Sequence, residues 1–210
     1  MMQPVQVGES VSRKVRRVVR NALIDMRFGP PLAVVYLRDR AQSNCDYREL
    51  EHAFSGRLDE ADVLVDVGCG AGRVINHWLR SGVGSHIYGL EIDERMGAIT
   101  KFRLRRRQDV SIVIGDAISN LPADGTVFFL FNPFDESTTR RFATAVLELA
   151  HAADRCVRVV YLNCKHLAVF EDHPEFEIEM VPHGPGAPAT LQALAVITVG
   201  DRQGAKLAEL

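Results

Sequence analysis

The stretch Val63-Leu64-Val65-Asp66-Val67-Gly68-Cys69-Gly70-Ala71-Gly72 decides how this 210-residue chain is read. Val63, Leu64, Val65 and Val67, interrupted by Asp66 alone, have the length and β-branched content of a parallel strand covered on both faces. Val74, Ile75, Trp78 and Leu79 then recur at helical spacing, so a glycine-cornered turn joins a buried strand to an amphipathic helix. Such a turn sets backbone N–H groups and the positive end of a helix dipole against a ligand. The glycine spacing narrows the choice of ligand. A dinucleotide fingerprint runs G-x-G-x-x-G, its third glycine letting helix and strand pack closely. Here the glycines are Gly68, Gly70 and Gly72, and Arg73 stands where that third Gly or Ala would be. No Gly-Lys-Ser/Thr follows, which excludes a P-loop.

Three later apolar runs end in polar residues. His86 to Ile92 reads as a second strand with Glu91 at its tip, about twenty positions past the glycine turn, where a carboxylate can accept hydrogen bonds from both hydroxyls of a ribose. Val110 to Ile114 is a third, followed by Gly115-Asp116-Ala117, and Thr126 to Phe131 a fourth, ending in Asn132-Pro133-Phe134. Taken one at a time, Glu91 could face solvent, and Gly115-Asp116 and Asn132-Pro133 could simply turn the chain. Three such features in register after the glycine turn are far less expected by chance than any one.

In that order and spacing the segments resemble the class I methyltransferases, seven-stranded Rossmann-like enzymes that use S-adenosylmethionine, whose motif I is an acidic residue, any residue, then G-x-G-x-G. The resemblance implies that Asp66 orients the methionine end of the cofactor or its surrounding loop. Gly68, Cys69, Gly70 and Gly72 would close the backbone around it, and Glu91 with Ile92 would take the ribose side. Asp116 would meet the adenine amino group, with Ala117 giving a backbone contact to the ring. Asn132-Pro133-Phe134 lies where the family carries motif IV, so Asn132 is both a cofactor-site and a catalytic candidate. It resembles the (Asp/Asn)-Pro-Pro-(Tyr/Phe) signature of enzymes that methylate nitrogen, with one Pro missing. In that signature the amide oxygen and a neighbouring carbonyl accept the acceptor's N–H protons and turn its lone pair toward the sulfonium, and an aromatic such as Phe134 stacks on a planar substrate or faces the cation. An acceptor that arrives protonated, or as a hydroxyl, needs a base. His166, Asp135 and Glu136 are nearest in sequence, and His166 follows the fifth strand. The resemblance runs over roughly residues 44 to 200. The chain also looks like a group of small bacterial methyltransferases of unsettled substrate and, more weakly, like non-SET histone-lysine methyltransferases in the Tyr-Gly-Leu-Glu and Asn-x-Phe neighbourhoods.

The expected fold is α/β: a three-layer, doubly wound sheet of seven strands, mostly parallel with a reversed last strand, preceded by N-terminal helices. Residues 1–55 are expected to form a helical appendage or lid, and 56–210 the methyltransferase core. In residues 11 to 27, Val11, Val15, Val18, Val19, Ala22, Leu23 and Met26 fall on one stripe, expected inward, with Arg13, Arg16, Arg17 and Arg20 as a solvated face. A second helix is expected after Ser43 or Asn44 as N-cap, with Tyr47, Leu50 and Phe54 inward and Tyr47 a candidate for the cofactor pocket. Lys101, Arg103, Arg105, Arg106 and Arg107 also read as a solvated helix face. Thr138 to Ala153 reads as a crossover helix and 156 to 162 as a fifth strand. Phe176 to Met180 and Leu191 to Val199, around the turn-rich 182–188, read as a closing hairpin.

Composition suits one compact enzyme domain, 47% hydrophobic with a net charge of −2, giving no overall field for nucleic acid. Cys45, Cys69, Cys156 and Cys164 form no C-x-x-C pair, so neither a zinc site nor a disulfide frame is expected, and a reducing cytoplasm fits. No apolar run approaches the ~20 residues of a membrane span and no signal-peptide pattern opens the chain. The expected partner is a small-molecule or protein side-chain acceptor, with nucleic acid disfavoured, no metal, and a homodimer left open. Two other readings stay alive: an S-adenosylmethionine-binding protein without transferase activity, and a nucleotide-dependent oxidoreductase on a similar fold.

Overall fold

The computed structural model describes residues 11–28, 45–182 and 192–200. Helix α1 spans Val11–Asp25 and runs into a 3-10 turn at Met26–Phe28, and α2 spans Tyr47–Phe54. The alternating part follows: β1 Val63–Val67, α3 Arg73–Ser81, β2 His86–Glu91, α4 Glu94–Leu104, β3 Val110–Ile114, β4 Val127–Leu130, α5 Glu136–Ala153 and β5 Val157–Leu162. A short helix α6, Ala168–Glu171, precedes β6 Glu177–Met180 and β7 Leu194–Val199.

The seven strands form one sheet in the order β3-β2-β1-β4-β5-β7-β6. Strands β1 to β5 run parallel to one another, and β7 runs antiparallel to both β5 and β6. The fold is the doubly wound, seven-stranded sheet that the sequence implied. Its last strand sits between β5 and β6 because a β6–β7 return must pair on an open edge, and β7, buried along its whole length, is the strand that can lie inside. The expected turn at 182–188 lies outside the described residues beyond Pro182.

Alternation along the strands divides the core in two. On one face Leu64, Phe129, Val160 and Val196 pack against Trp78, Ile75 and the α2 residues Tyr47, Leu50 and Phe54. On the other Val65, Phe128, Tyr161 and Ile197 pack against Phe142, Val146 and Phe170. The helix α2 therefore shares the core of β1 and α3 and is continuous with it. Its N-cap is Asp46, which closes a capping box with Glu49, while Ser43 and Asn44 lie outside the described residues.

The orientation of α1 differs from expectation. Its stripe residues Val15, Val18, Val19, Leu23 and Met26 are all more than half exposed. The helix docks by its polar side: Arg17 and Arg20 pair with Asp46, Asn21 and Asp25 are buried, and Ile24 touches the core. Burial of charge is tolerated there because each charge meets a partner, and those ion pairs outweigh an apolar stripe of valines that finds no groove.

Candidate active site

The chain order makes β1 a switch point: from it the chain moves outward to β2 and β3, then returns across β1 to β4 and β5. The crevice above the carboxyl ends of β1 and β4 is where open α/β sheets bind ligands. The glycine turn lies there. Gly68, Gly70 and Gly72 all have positive φ, at 77°, 52° and 81°, a region that costs other L-residues roughly 1–2 kcal/mol. The backbone N–H groups of Gly68 and Cys69 both donate to the Leu90 carbonyl at 2.9 Å, tying the turn to the end of β2. A Cβ at Gly68 would lie 3.1 Å from Cβ of Pro133, so motif I and the Asn132-Pro133 turn touch across the switch point.

Glu91, at the tip of β2, is buried and faces this turn. One carboxylate oxygen accepts from the N–H of Gly70 at 2.7 Å and the other from the N–H of Asp93 at 2.9 Å. A carboxylate offers about four acceptor positions, so two remain for further donors. Ile92, next along, is the most exposed large apolar side chain among the described residues, at 76%. Asp116 follows β3 half-exposed. It accepts from the N–H of Ile118 and the hydroxyl of Ser119, whose hydrogen bond is the main cause of a carboxyl held below its ordinary range. Ala117 beside it is buried.

Asp66 is fully enclosed at the end of β1. Burial first and the neighbouring Glu91 charge second push its carboxyl well above the usual carboxylate range. Its Oδ2 has no hydrogen-bond partner. Across the crevice Asn132 holds a φ of 47°, rare for a side-chain-bearing residue and of the kind that collects at functional sites. Its Oδ1 accepts from the Tyr161 hydroxyl at 3.0 Å and more weakly from the N–H of Lys165 at 3.4 Å. The Tyr161 hydroxyl itself accepts from the N–H of His166, so it must donate to Asn132, which fixes the amide. The Nδ2 group is left buried without a partner. The crevice thus holds an unsatisfied acceptor and an unsatisfied donor, each costing on the order of 1–3 kcal/mol unless a ligand meets it. A ligand that brings a donor to Asp66 and an acceptor to Asn132 would satisfy both.

Four further candidates have their side chains held by packing or hydrogen bonds. Tyr47 is 1% exposed and its hydroxyl donates to Asp25 at 2.6 Å, so it is a strut behind the turn and presents no surface to a cofactor. The Cys69 side chain is buried in the core, with its thiol pushed up by burial, leaving only its backbone at the turn. Phe134 is half-buried with its ring 5.7 Å from that of Phe142, so packing against α5 takes part of it out of reach of a substrate. Asp135 is the N-cap of α5, its carboxylate engaged by Thr138 and Ser137 and held low by those bonds, which suits a cap and not a base. Glu136 pairs with Arg140 on the surface, and His166 is half-buried in the segment after β5.

Residues the sequence reading missed hold the turn from behind. Thr100 of α4 donates to the Gly70 carbonyl at 2.7 Å, and Arg103 donates to the Ala71 carbonyl at 2.8 Å and to Asn76 Oδ1 at 2.8 Å. Arg103 therefore leaves the solvated face on which the basic run placed it. Nothing local marks Thr100 or Arg103, since both act thirty or so positions away in sequence.

Comparison with known proteins agrees with this fold. Residues 64–160 match the family model described as a methyltransferase domain. That match covers just under half of the chain, and the seven-stranded sheet is the class I methyltransferase fold. Similar solved structures include a SAM-dependent O-methyltransferase from Thermotoga maritima, 16% identical with a TM-score of 0.57, over 82% of this chain and 72% of that one. An O-methyltransferase from Bacillus cereus in complex with SAH is 13% identical with a TM-score of 0.56, over 94% of each chain. A Streptococcus pneumoniae protein proposed to be a tRNA (m1A22) methyltransferase, in complex with S-adenosyl-L-methionine, is 11% identical with a TM-score of 0.56, over 75% of this chain and 73% of that one. Identities this low speak for the fold alone. No curated protein matches the chain. Among the described residues no helix is long and apolar enough to cross a membrane.

Proposed function

We propose that this chain transfers the methyl group of S-adenosylmethionine to an acceptor held beside Asn132-Pro133, and that Asp66, the glycine turn, Glu91, Ile92, Asp116 and Ala117 hold the cofactor. The observation that carries the reading is the convergence of Asp66, Glu91 and Asn132 on one crevice at the switch point, with unsatisfied polar atoms at Asp66 and Asn132. S-adenosylmethionine supplies a methyl group already activated on a sulfonium. What remains for the protein is to align an acceptor lone pair and exclude water. In this reading Asp66 meets an ammonium, Glu91 accepts from ribose hydroxyls with its remaining positions, exposed Ile92 covers one face of the adenine, and Asp116 accepts from the adenine amino group.

The acceptor we infer from Asn132-Pro133-Phe134 is nitrogen, with a backbone carbonyl at the turn taking an acceptor N–H. Asn132 Oδ1 is already engaged by Tyr161, so the amide oxygen does not share that task. The unpartnered Nδ2 favours a second reading, an oxygen acceptor, since an N–H donor there would stabilise an oxyanion and compete for the lone pair of an amine. His166 is the nearest half-buried candidate base for either. A small molecule or a protein side chain is the acceptor class we propose, in a monomer or a homodimer.

Titration calorimetry with S-adenosylmethionine should give saturable binding that Glu91→Ala and Asp116→Ala each weaken by about tenfold, the worth of one or two hydrogen bonds to a charged group. Unchanged affinity in both variants would sink the assigned roles. Transfer of labelled methyl to metabolite, protein and RNA fractions then separates an enzyme from a protein that only binds the cofactor: tight binding with no turnover on any fraction would support the latter.

A further inference from the structure

Arg73 is the first residue of α3, directly after Gly72, and a cation there opposes the helix dipole. The structure shows what neutralises it. Nη2 of Arg73 donates to Oδ2 of Asp25 at 2.8 Å and Nη1 to the Cys45 carbonyl at 3.2 Å. Asp25, the last residue of α1, is fully buried, and its other oxygen accepts from the Tyr47 hydroxyl at 2.6 Å. A buried carboxylate survives only when paired and hydrogen-bonded, and both conditions are met here by residues of α2 and α3. The charge of Arg73 is thereby cancelled from behind by a carboxylate, whereas Arg103 meets carbonyl and amide oxygens of the same region, and the acidic side chains in the crevice are Asp66 and Glu91.

We propose that Asp25 is a positioning residue for the cofactor site. Acting through Arg73, it fixes the first turn of α3 against the glycine turn and removes a positive charge that would oppose a cationic ligand. The inference rests on the S-adenosylmethionine reading. That cofactor carries a sulfonium charge, and its product S-adenosylhomocysteine lacks it while keeping the adenosine and amino-acid ends. Loosening of the turn weakens both ligands alike. Loss of charge balance changes their ratio.

The experiment is calorimetry of the full-length chain with each ligand separately, alongside thermal unfolding. Asp25→Asn is expected to weaken S-adenosylmethionine about fivefold more than S-adenosylhomocysteine, the scale of one partly screened charge. Arg73→Gln should move the ratio in the opposite direction, and the double variant should return it to within about twofold of the native value. Arg20→Ala, which cuts one of the two ties of α1 to Asp46, should lower the melting temperature and leave the ratio unchanged. An unchanged ratio in both Asp25→Asn and Arg73→Gln overturns the proposal, as does a ratio that shifts in Arg20→Ala. If Asp25→Asn fails to fold, a ratio that moves in Arg73→Gln and returns in the double variant supports it, and one that stays still overturns it. A native chain that binds neither ligand refutes the cofactor reading itself.

Discussion

In the proposed reading Asp66 trades stability for binding. Its carboxyl is raised by burial and by Glu91, with the thiols of Cys45 and Cys69 close enough to feel its charge. A carboxyl raised above its unfolded value contributes stability that is fully present below the unfolded pKa and lost as pH rises through the folded one. Asp66→Asn should therefore stabilise the ligand-free protein at neutral pH, by on the order of 1 kcal/mol, and weaken cofactor binding. A bound ammonium favours the ionised form, so binding should release a proton and tighten as pH rises through the raised pKa. Calorimetry in buffers of different ionisation enthalpy measures that release; proton uptake would contradict the role. Gly68→Ala tests the backbone of the same turn. With φ at 77° and the new Cβ 3.1 Å from Pro133, it should cost about 1–2 kcal/mol in denaturant unfolding.

At the scale of elements, α2 and α3 are joined by a stack of rings. Phe54 lies against His77 at 5.7 Å, Trp78 at 5.3 Å and Phe129 at 5.4 Å. Burial is the main reason the His77 imidazole is lowered to about 4, with Arg80 adding to it. A histidine lowered in the fold contributes stability above its unfolded pKa, and that contribution disappears as pH falls toward the folded value. Between pH 6.5 and 4 the protein should lose up to about 3 kcal/mol from this group, and His77→Gln should flatten that part of the stability profile. Urea unfolding across the range reads it directly. The periodicity that defined α2 and α3 was legible because each buries a stripe. The same reasoning failed for α1, whose valines repeat just as regularly, because period says which residues share a face and not which face finds a partner. Its partners, Asp46 and Arg73, lie 26 and 48 positions beyond Arg20 and Asp25.

Across the whole molecule the sheet order places every strand-end candidate on one edge, and an ion-pair cluster ties the opposite edge. There Asp62 receives two bonds from Arg158 at 2.6 Å and one from Thr126 at 2.9 Å, linking β1 to β5 across β4. Because α2 shares the β1 core, a boundary at residue 55 would cut through packed side chains: Tyr47, Leu50 and Phe54 belong to it. Phe54→Ala should accordingly cost about 3–5 kcal/mol, and a chain shortened to 56–210 should lose a cooperative thermal transition. A shortened chain that melted cooperatively would support the appendage reading.

The sequence alone determined the strand-turn-helix at 63–81, the seven-strand count, and Glu91, Asp116 and Asn132 at strand ends, because strand alternation, glycine at positive φ and acid-tipped strands leave local, periodic marks. Only the tertiary structure decided that Thr100 and Arg103 hold the glycine turn, that Asp25 pairs with Arg73, that Tyr47 is a strut, and that the Asn132 amide is turned by Tyr161. Those roles depend on which distant partner reaches a buried charge or carbonyl, and the cost of leaving such a group unpaired is settled by packing in three dimensions, where sequence spacing carries no information.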